Sequence, residues 1–279
     1  MIQILSEMFS YPFIVNAIVV GVLVSLCAAP LGVSLVLKRY SMIGDGLSHV
    51  GFAALALATA SVALRAAPLT LSVPIVVVAA VLLLRISASS KIKGDAAIAL
   101  ISTGSLAIGV LVISKTTGMN TDVCKYMFGS ILAMSRGDVR LSIALSCVVL
   151  VLFVLLYNKI FAVTFDETFA RATGVNAGVY NTLIAVLTAV TIVLGMRLMG
   201  ALLISGLIIF PALTAMRACK RFSTTTICAV IVSALCFFLG VVASYLYDFP
   251  TGASVVAVNI VAFLLFWGAR LILQGGKTT

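Results

Sequence analysis

The sequence predicts an all-α polytopic membrane bundle of eight or nine spans. Three observations predict it. Hydrophobic residues make up 63% of the 279 and charged residues 9%, against about 45–50% apolar and about 25% charged in soluble domains. The mean hydropathy is +1.28. The few ionic groups also cluster, leaving long uncharged intervals between them. A soluble globule could not cover this much apolar surface, so a cytosolic enzyme, a nucleic-acid-binding domain and a disordered chain are excluded. A β-barrel is excluded too, because its strands alternate polar and apolar residues and show no long apolar run.

A helix needs roughly 20 apolar residues to cross a bilayer. In chain order the charge-free intervals are 12–37, 46–64, 66–84, 96–114, 141–158, 172–196, 198–216, 222–247 and 249–269. The second of them contains His49. The two flanking Arg197 almost touch, so the count is eight or nine. The run 126–135 is too short to cross and reads as a re-entrant or interfacial helix. Several spans are rich in Gly, Ala and Ser, which lets helix backbones approach closely in lipid. Pro30 and Pro211 lie within spans and are expected to kink or break them. The whole chain, 1–279, reads as one transmembrane domain.

Lys+Arg number 18 and Asp+Glu 8, a net charge of +10. In a membrane protein such an excess marks cytoplasmic loops. Lys38, Arg39, Arg85, Lys91, Lys93, Lys159, Arg171, Arg217, Lys220, Arg221, Arg270 and Lys277 fall on one side. Arg65, Lys115, Lys125, Arg136, Arg140 and Arg197 fall on the other. The first side is therefore cytoplasmic, with the N-terminus outside. The six cysteines form no CxxC pair and read as small core residues. The first residues lack a basic region and a cleavage site, so no removable signal peptide is expected.

The sharpest local feature is Gly44-Asp45-Gly46-Leu47-Ser48-His49, which opens the second apolar run. His49 is the only histidine in the chain. Positions i and i+4 share a helix face, about 5–6 Å apart between Cβ atoms. A carboxylate and an imidazole at that spacing can share one divalent cation. The alternative is structural: Asp45 caps the helix and His49 hydrogen-bonds to it or to a neighbour. Ionisable groups inside a span are functional candidates by default, which raises the first reading to parity with the second.

Residues 165–174 carry Phe165, Asp166, Glu167, Phe169, Arg171 and a terminal Gly174. They read as a short amphipathic helix stopped by the glycine. Either it lies on the bilayer, or Phe165 and Phe169 share a face that fills a groove on a cytoplasmic partner. In Lys91-Ile92-Lys93-Gly94-Asp95 the basic pair marks topology and Asp95 caps the next helix. No phosphate loop, HExxH or GxSxG motif occurs, and a single histidine makes a catalytic triad implausible. An enzyme is not expected.

These blocks together resemble the membrane permease subunit of bacterial ABC importers for zinc, manganese and iron. Ala28-Ala29-Pro30-Leu31-Gly32 through His49 is similar to that family's opening signature. Gly94-Asp95-Ala96-Ala97-Ile98, Phe128-Gly129-Ser130-Ile131-Leu132, and Gly200 through Ser205 to Phe210-Pro211-Ala212-Leu213-Thr214-Ala215 resemble later blocks in order. Ser130 stands where the family often has an acid, so that position is not assigned to metal. The resemblance implies an importer permease fold like that of the vitamin B12 importer, and a permease homodimer in the bacterial cytoplasmic membrane. It implies a cytoplasmic ATP-binding subunit that hydrolyses ATP, an extracellular metal-binding lipoprotein, and no nucleic acid partner. It implies that Asp45 and His49 bind the metal in transit and that residues 166–174 dock the ATP-binding subunit. No cofactor is held permanently; the divalent metal is cargo. Nitrogen ligands lean toward zinc, with manganese or iron as alternatives. Because neutral imidazole is the ligand form, transport is expected to fall at acid pH. A metal-chelate permease and a stand-alone secondary transporter or channel are the rival readings.

Overall fold

The computed structural model describes residues 8–60, 68–88, 94–115 and 136–275. The helices are α1 (Pro12–Leu37), α2 (Met42–Ala60), α3 (Pro68–Ala88), α4 (Gly94–Ser114) and α5 (Arg136–Leu155). Then follow α6 (Tyr157–Phe165), α7 (Glu167–Ala172), α8 (Ala177–Ala218), α9 (Phe222–Tyr247) and α10 (Thr251–Gly275). Among the described residues there is no strand, and nine helical segments are long and apolar enough to span. They are α1 to α5, both halves of α8 (Ala177–Met196 and Met199–Ala218), α9 and α10. The run 126–135, the block around Ser130, and Lys91 with Lys93 lie outside the described residues, as does the side chain of Asp95.

The higher span count is correct because α8 is a hairpin. Asn181 holds Lys38 at the end of α1. A Cβ at Gly195 would touch Val24, and one at Gly21 would touch Met199. Further along, Ile208 lies on Gly32. The first half of α8 therefore runs antiparallel to α1, and the second half runs back beside it. The reversal is at Gly200, with φ 80° and ψ 166°, a region open essentially to glycine alone. Its level on α1 is Gly21, about 13 Å short of the Pro12 end at 1.5 Å per residue. Met196, Met199 and Ala201 beside the break are buried. Irregular backbone at membrane depth is tolerated where protein encloses it.

Of the kink or break expected at Pro30 and Pro211, the break is corrected: both prolines sit inside continuous helix. The glycine breaks the chain because it can enter a backbone region closed to other residues, whereas a proline removes one hydrogen bond and crowds the carbonyl four residues back, costs that packing against neighbouring helices can offset.

Burial separates an inner set of helices from an outer set. The spanning part of α2 is 72% buried and that of α1 67%, whereas α10 is 17% buried. The helices meet through glycines, as their composition predicts, in the inner set and at the outer helix alike. A Cβ on Gly32 would stand 1.9 Å from the Ile208 backbone oxygen, and one on Gly240 would stand 2.4 Å from Val255 Cα of α10. Backbone-to-backbone contact of this kind supplies the packing that drives helix association in lipid. Cys27 and Cys236 are buried as expected, but Cys147 is exposed on α5, so not every cysteine serves the core.

Candidate metal transit site and docking end

Asp45 lies in the first turn of α2, and His49 lies one turn further on. Two glycines decide where the pair points. Gly44 packs on Ile208 of the second half of α8, and Gly46 packs on Ile98 of α4. Asp45, between them in sequence, emerges in the gap between those two helices. His49 follows on the same face. Along α2 the residues left partly or fully uncovered are Met42, Asp45, His49, Leu57, Thr59 and Ala60. They lie at its two ends: Met42, Asp45 and His49 share one face of the first turns, and between Val50 and Ala56 the helix is buried all round. Leu202, Ser205, Ile209, Leu213 and Met216 form an uncovered stripe on the second half of α8.

His49 Nε2 stands 3.7 Å from Asp45 Oδ2, beyond hydrogen-bond range, and the two side chains are 22% and 46% exposed. Ser48 turns its hydroxyl back to the Asp45 carbonyl at 2.7 Å and does not satisfy the carboxylate. The carboxylate and imidazole are therefore gathered on one face but not closed on each other. Among the described residues no cluster of three or more His, Cys, Asp or Glu side chains exists that could hold a metal. One protomer thus offers two ligand groups here. Gly32 and Gly44 both touch Ile208, which sets the start of α2 level with Gly32, about 30 Å along the α1 axis from Pro12 and about 9 Å along it from Lys38. The pair sits toward the end that carries Lys38 and Arg39.

That end is built around α7. The residues 165–174 do not form one helix. Asp166 is extended, with φ −145° and ψ 98°, and divides α6 from α7. It caps α7 by accepting the Phe169 N–H at 2.9 Å. Phe165 consequently belongs to α6, where its ring packs on Phe161 at 5.0 Å and Phe222 at 5.8 Å. The shared face expected for Phe165 and Phe169 is thereby corrected: a four-residue spacing aligns side chains only on an unbroken helix. Both rings remain more than half exposed. Gly174 ends α7 in the left-handed region, φ 82°, and Val175 N–H returns to the Ala170 carbonyl at 2.9 Å.

Glu167 and Arg171 form an i,i+4 ion pair at 2.7 Å. Glu167 also faces Lys38 at 3.9 Å, and Lys38 donates to Asn181 Oδ1. Partial burial opposes ionisation of Glu167. Hydrogen bonds from Arg171 and Asn181, with the charges of Lys38 and Arg171, outweigh it and hold the carboxyl below its ordinary value. Burial pushes the Lys38 amine down, partly offset by Glu167. Sequence reasoning missed Lys38 and Asn181 as site residues. Lys38 reads as one more topological charge, and no local pattern ties position 38 to positions 167 and 181.

The chain matches the ABC 3 transport family over residues 10–269. It is 30% identical over 251 residues to the high-affinity zinc uptake system membrane protein ZnuB of Haemophilus influenzae, covering 89% of this chain and 94% of that protein. It is 26% identical over 259 residues to the manganese transport system membrane protein MntC of Halalkalibacterium halodurans, covering 93% and 88%. A chain of PsaBC from Streptococcus pneumoniae, solved in complex with Fab, is similar with a TM-score of 0.85 at 26% identity, covering 96% of this chain and 95% of that one. The fold, the nine spans and these relatives agree: the chain belongs to the ABC 3 transport family, as a multi-pass permease subunit of a metal ABC importer in the bacterial cytoplasmic membrane.

Proposed function

We propose that Asp45 and His49 are the transit ligands for a divalent transition metal, and that zinc is the cargo. The observation that supports this is the uncovered start of α2. The most buried span is open on one face of its first turns, and that face carries the carboxylate and the imidazole. A second copy of the chain, meeting this one at the start of α2 and along the α8 stripe, supplies the same pair again. Two carboxylates and two imidazoles make a four-coordinate set that suits zinc. Half of that set is nitrogen, which weighs against manganese and iron as the preferred cargo.

In this reading an extracellular metal-binding lipoprotein delivers the cation to the outer mouth, and a cytoplasmic ATP-binding subunit docks on α7. Phe169, exposed beside the capping Asp166 and the Glu167–Arg171 pair, supplies the apolar anchor for docking. ATP is hydrolysed by that subunit. The pair lies toward the cytoplasmic end, so the cation enters the site late in its passage and leaves over a short distance. The ligands bind it only moderately, because a tighter site would stall release. The rival of a stand-alone transporter gives way to the family membership. A metal-chelate permease has no use for an ionic ligand pair in its path.

The test is uptake of zinc, manganese and iron(II) by the reconstituted importer. Asp45→Ala and His49→Ala are each expected to abolish uptake while the complex still assembles. Zinc is expected to be taken up in preference when all three metals compete. Unchanged uptake in either variant ends the assignment of the pair, and preference for manganese or iron ends the assignment of zinc.

A further inference from the structure

Lys38 stands between the docking end and the metal-bearing helix. It caps α1, its backbone N–H on the Ser34 carbonyl at 3.1 Å. Arg39 then takes a left-handed conformation, φ 61°, and Tyr40 N–H closes the turn on the Leu35 carbonyl at 2.9 Å. Only Arg39, Tyr40 and Ser41 separate Lys38 from the start of α2, whose first turn holds Asp45. The connection is therefore one short, hydrogen-bonded turn with little slack.

The Lys38 side chain turns inward. It is 8% exposed and lines a small cavity together with Leu35, Ile43, Leu84 and Ile184. Its ammonium donates to Asn181 of α8 and faces Glu167 of α7. One polar node thus ties together the end of α1, the docking helix and the α8 hairpin. A buried ammonium is costly, and an apolar side chain of equal length could fill the same space without that cost. Topology does not require the charge here, since exposed Arg39 next to it supplies a basic residue. The best-attested use of a buried ionic group is to specify one arrangement over another.

We propose that Lys38 is the positioning residue that couples movement of α7 to α2, and so to the Asp45/His49 pair. This rests on the transit and docking roles proposed above. Displacement of Glu167 by the ATP-binding subunit pulls on Lys38, and the tight turn passes that displacement to the first turn of α2. Loss of the tie leaves docking and ATP hydrolysis in place but uncouples them from access to the ligands.

The readout is metal ions transported per ATP hydrolysed by the reconstituted importer with its ATP-binding subunit and binding protein. Lys38→Met keeps the stem and removes the charge. It is expected to assemble and hydrolyse ATP near the normal rate, with ions per ATP falling about tenfold, an ordinary size for a lost coupling. Lys38→Arg is expected to recover most of the ratio. A normal ratio in Lys38→Met overturns the proposal. If that variant does not assemble, Glu167→Gln is measured instead: a lowered ratio supports the coupling and a normal ratio overturns it. Asp45→Ala separates the two readings. Normal uptake in Asp45→Ala sinks the transit site and the coupling together, whereas no uptake there with a normal ratio in Lys38→Met sinks the coupling alone.

Discussion

Two acid–base pairs in this chain share the same i,i+4 spacing and have opposite fates. In α7 Glu167 and Arg171 close on each other at 2.7 Å. In α2 Asp45 and His49 stay 3.7 Å apart on a partly uncovered face of its first turns. The closed pair has satisfied its own charge and serves the helix that carries it. The open pair keeps its lone pairs for something else. Spacing alone brings two groups to one face; whether they consume each other depends on what surrounds them. Around α2, Gly44 and Gly46 draw α8 and α4 in on either side and leave a slot. Around α7 the face is solvent-exposed, and an arginine is long enough to reach back.

The largest effect is expected from turning the open pair into a closed one. His49→Arg places a permanent cation four residues from Asp45, as in α7. The fold is expected to survive, and transport to fall by more than the ~10–100-fold that loss of an outer-shell partner costs a metal site. Measurable uptake with this variant would show that the open geometry is dispensable.

Narrowing the slot should come next. Gly46→Val puts a side chain where Ile98 Cγ2 would stand 2.8 Å from the new Cβ, so the Ile98 side chain or α4 itself must shift. Overpacking of this kind costs about 1–3 kcal/mol. Thermal unfolding of the detergent-solubilised protein should register it, and transport should fall with it. Gly200→Ala is a control of similar size, about 1–3 kcal/mol from backbone strain, that acts on the hairpin and not on the slot.

The closed pair should respond weakly. Arg171→Ala removes an exposed ion pair worth about 0.2–1 kcal/mol. Hydrogen exchange of the α7 amides is the suitable measure, and metal uptake should drop little compared with His49→Arg. A loss of uptake as large as that of His49→Arg would erase the distinction between the two pairs.

The smallest effect is a pH dependence at α7. The Glu167 carboxyl is held below its ordinary value in the folded chain. Its contribution to stability is therefore complete above the unfolded carboxylate value, about 4.3. It is lost as the pH falls through the lower, folded value. Protection of the α7 amides should decline across that acid window, and Glu167→Gln should remove the dependence. A decline that begins near neutrality would point to a different group.

Residue pattern foretold some features better than others. The spans were legible because each must satisfy its own backbone in lipid, which writes an uncharged run directly into the chain. Asp45 and His49 were legible as a pair because helical spacing is local. The end of α7 was legible in Gly174, which takes the left-handed conformation that the terminal glycine suggests. The division between α6 and α7 was not, because nothing in the spacing of Phe165 and Phe169 reveals that Asp166 is extended. Nor was the break at Gly200 legible, since one glycine among many small residues does not announce which of them has a positive φ. Residue type marks Pro30 and Pro211 as sites of a kink or break, yet both remain within helix.

Composition and spacing alone determined that this is an α-helical membrane protein, and put a carboxylate and an imidazole on one helix face. These follow from solvation and from the helical repeat, both of which act within a few residues. Tertiary structure decided that this face stays uncovered at the cytoplasmic end of the innermost helix. It also decided that Lys38 meets Glu167 and Asn181 across more than a hundred residues of chain. Contacts of that kind depend on how helices stack, and glycines set the stacking through backbone approach that no local pattern encodes.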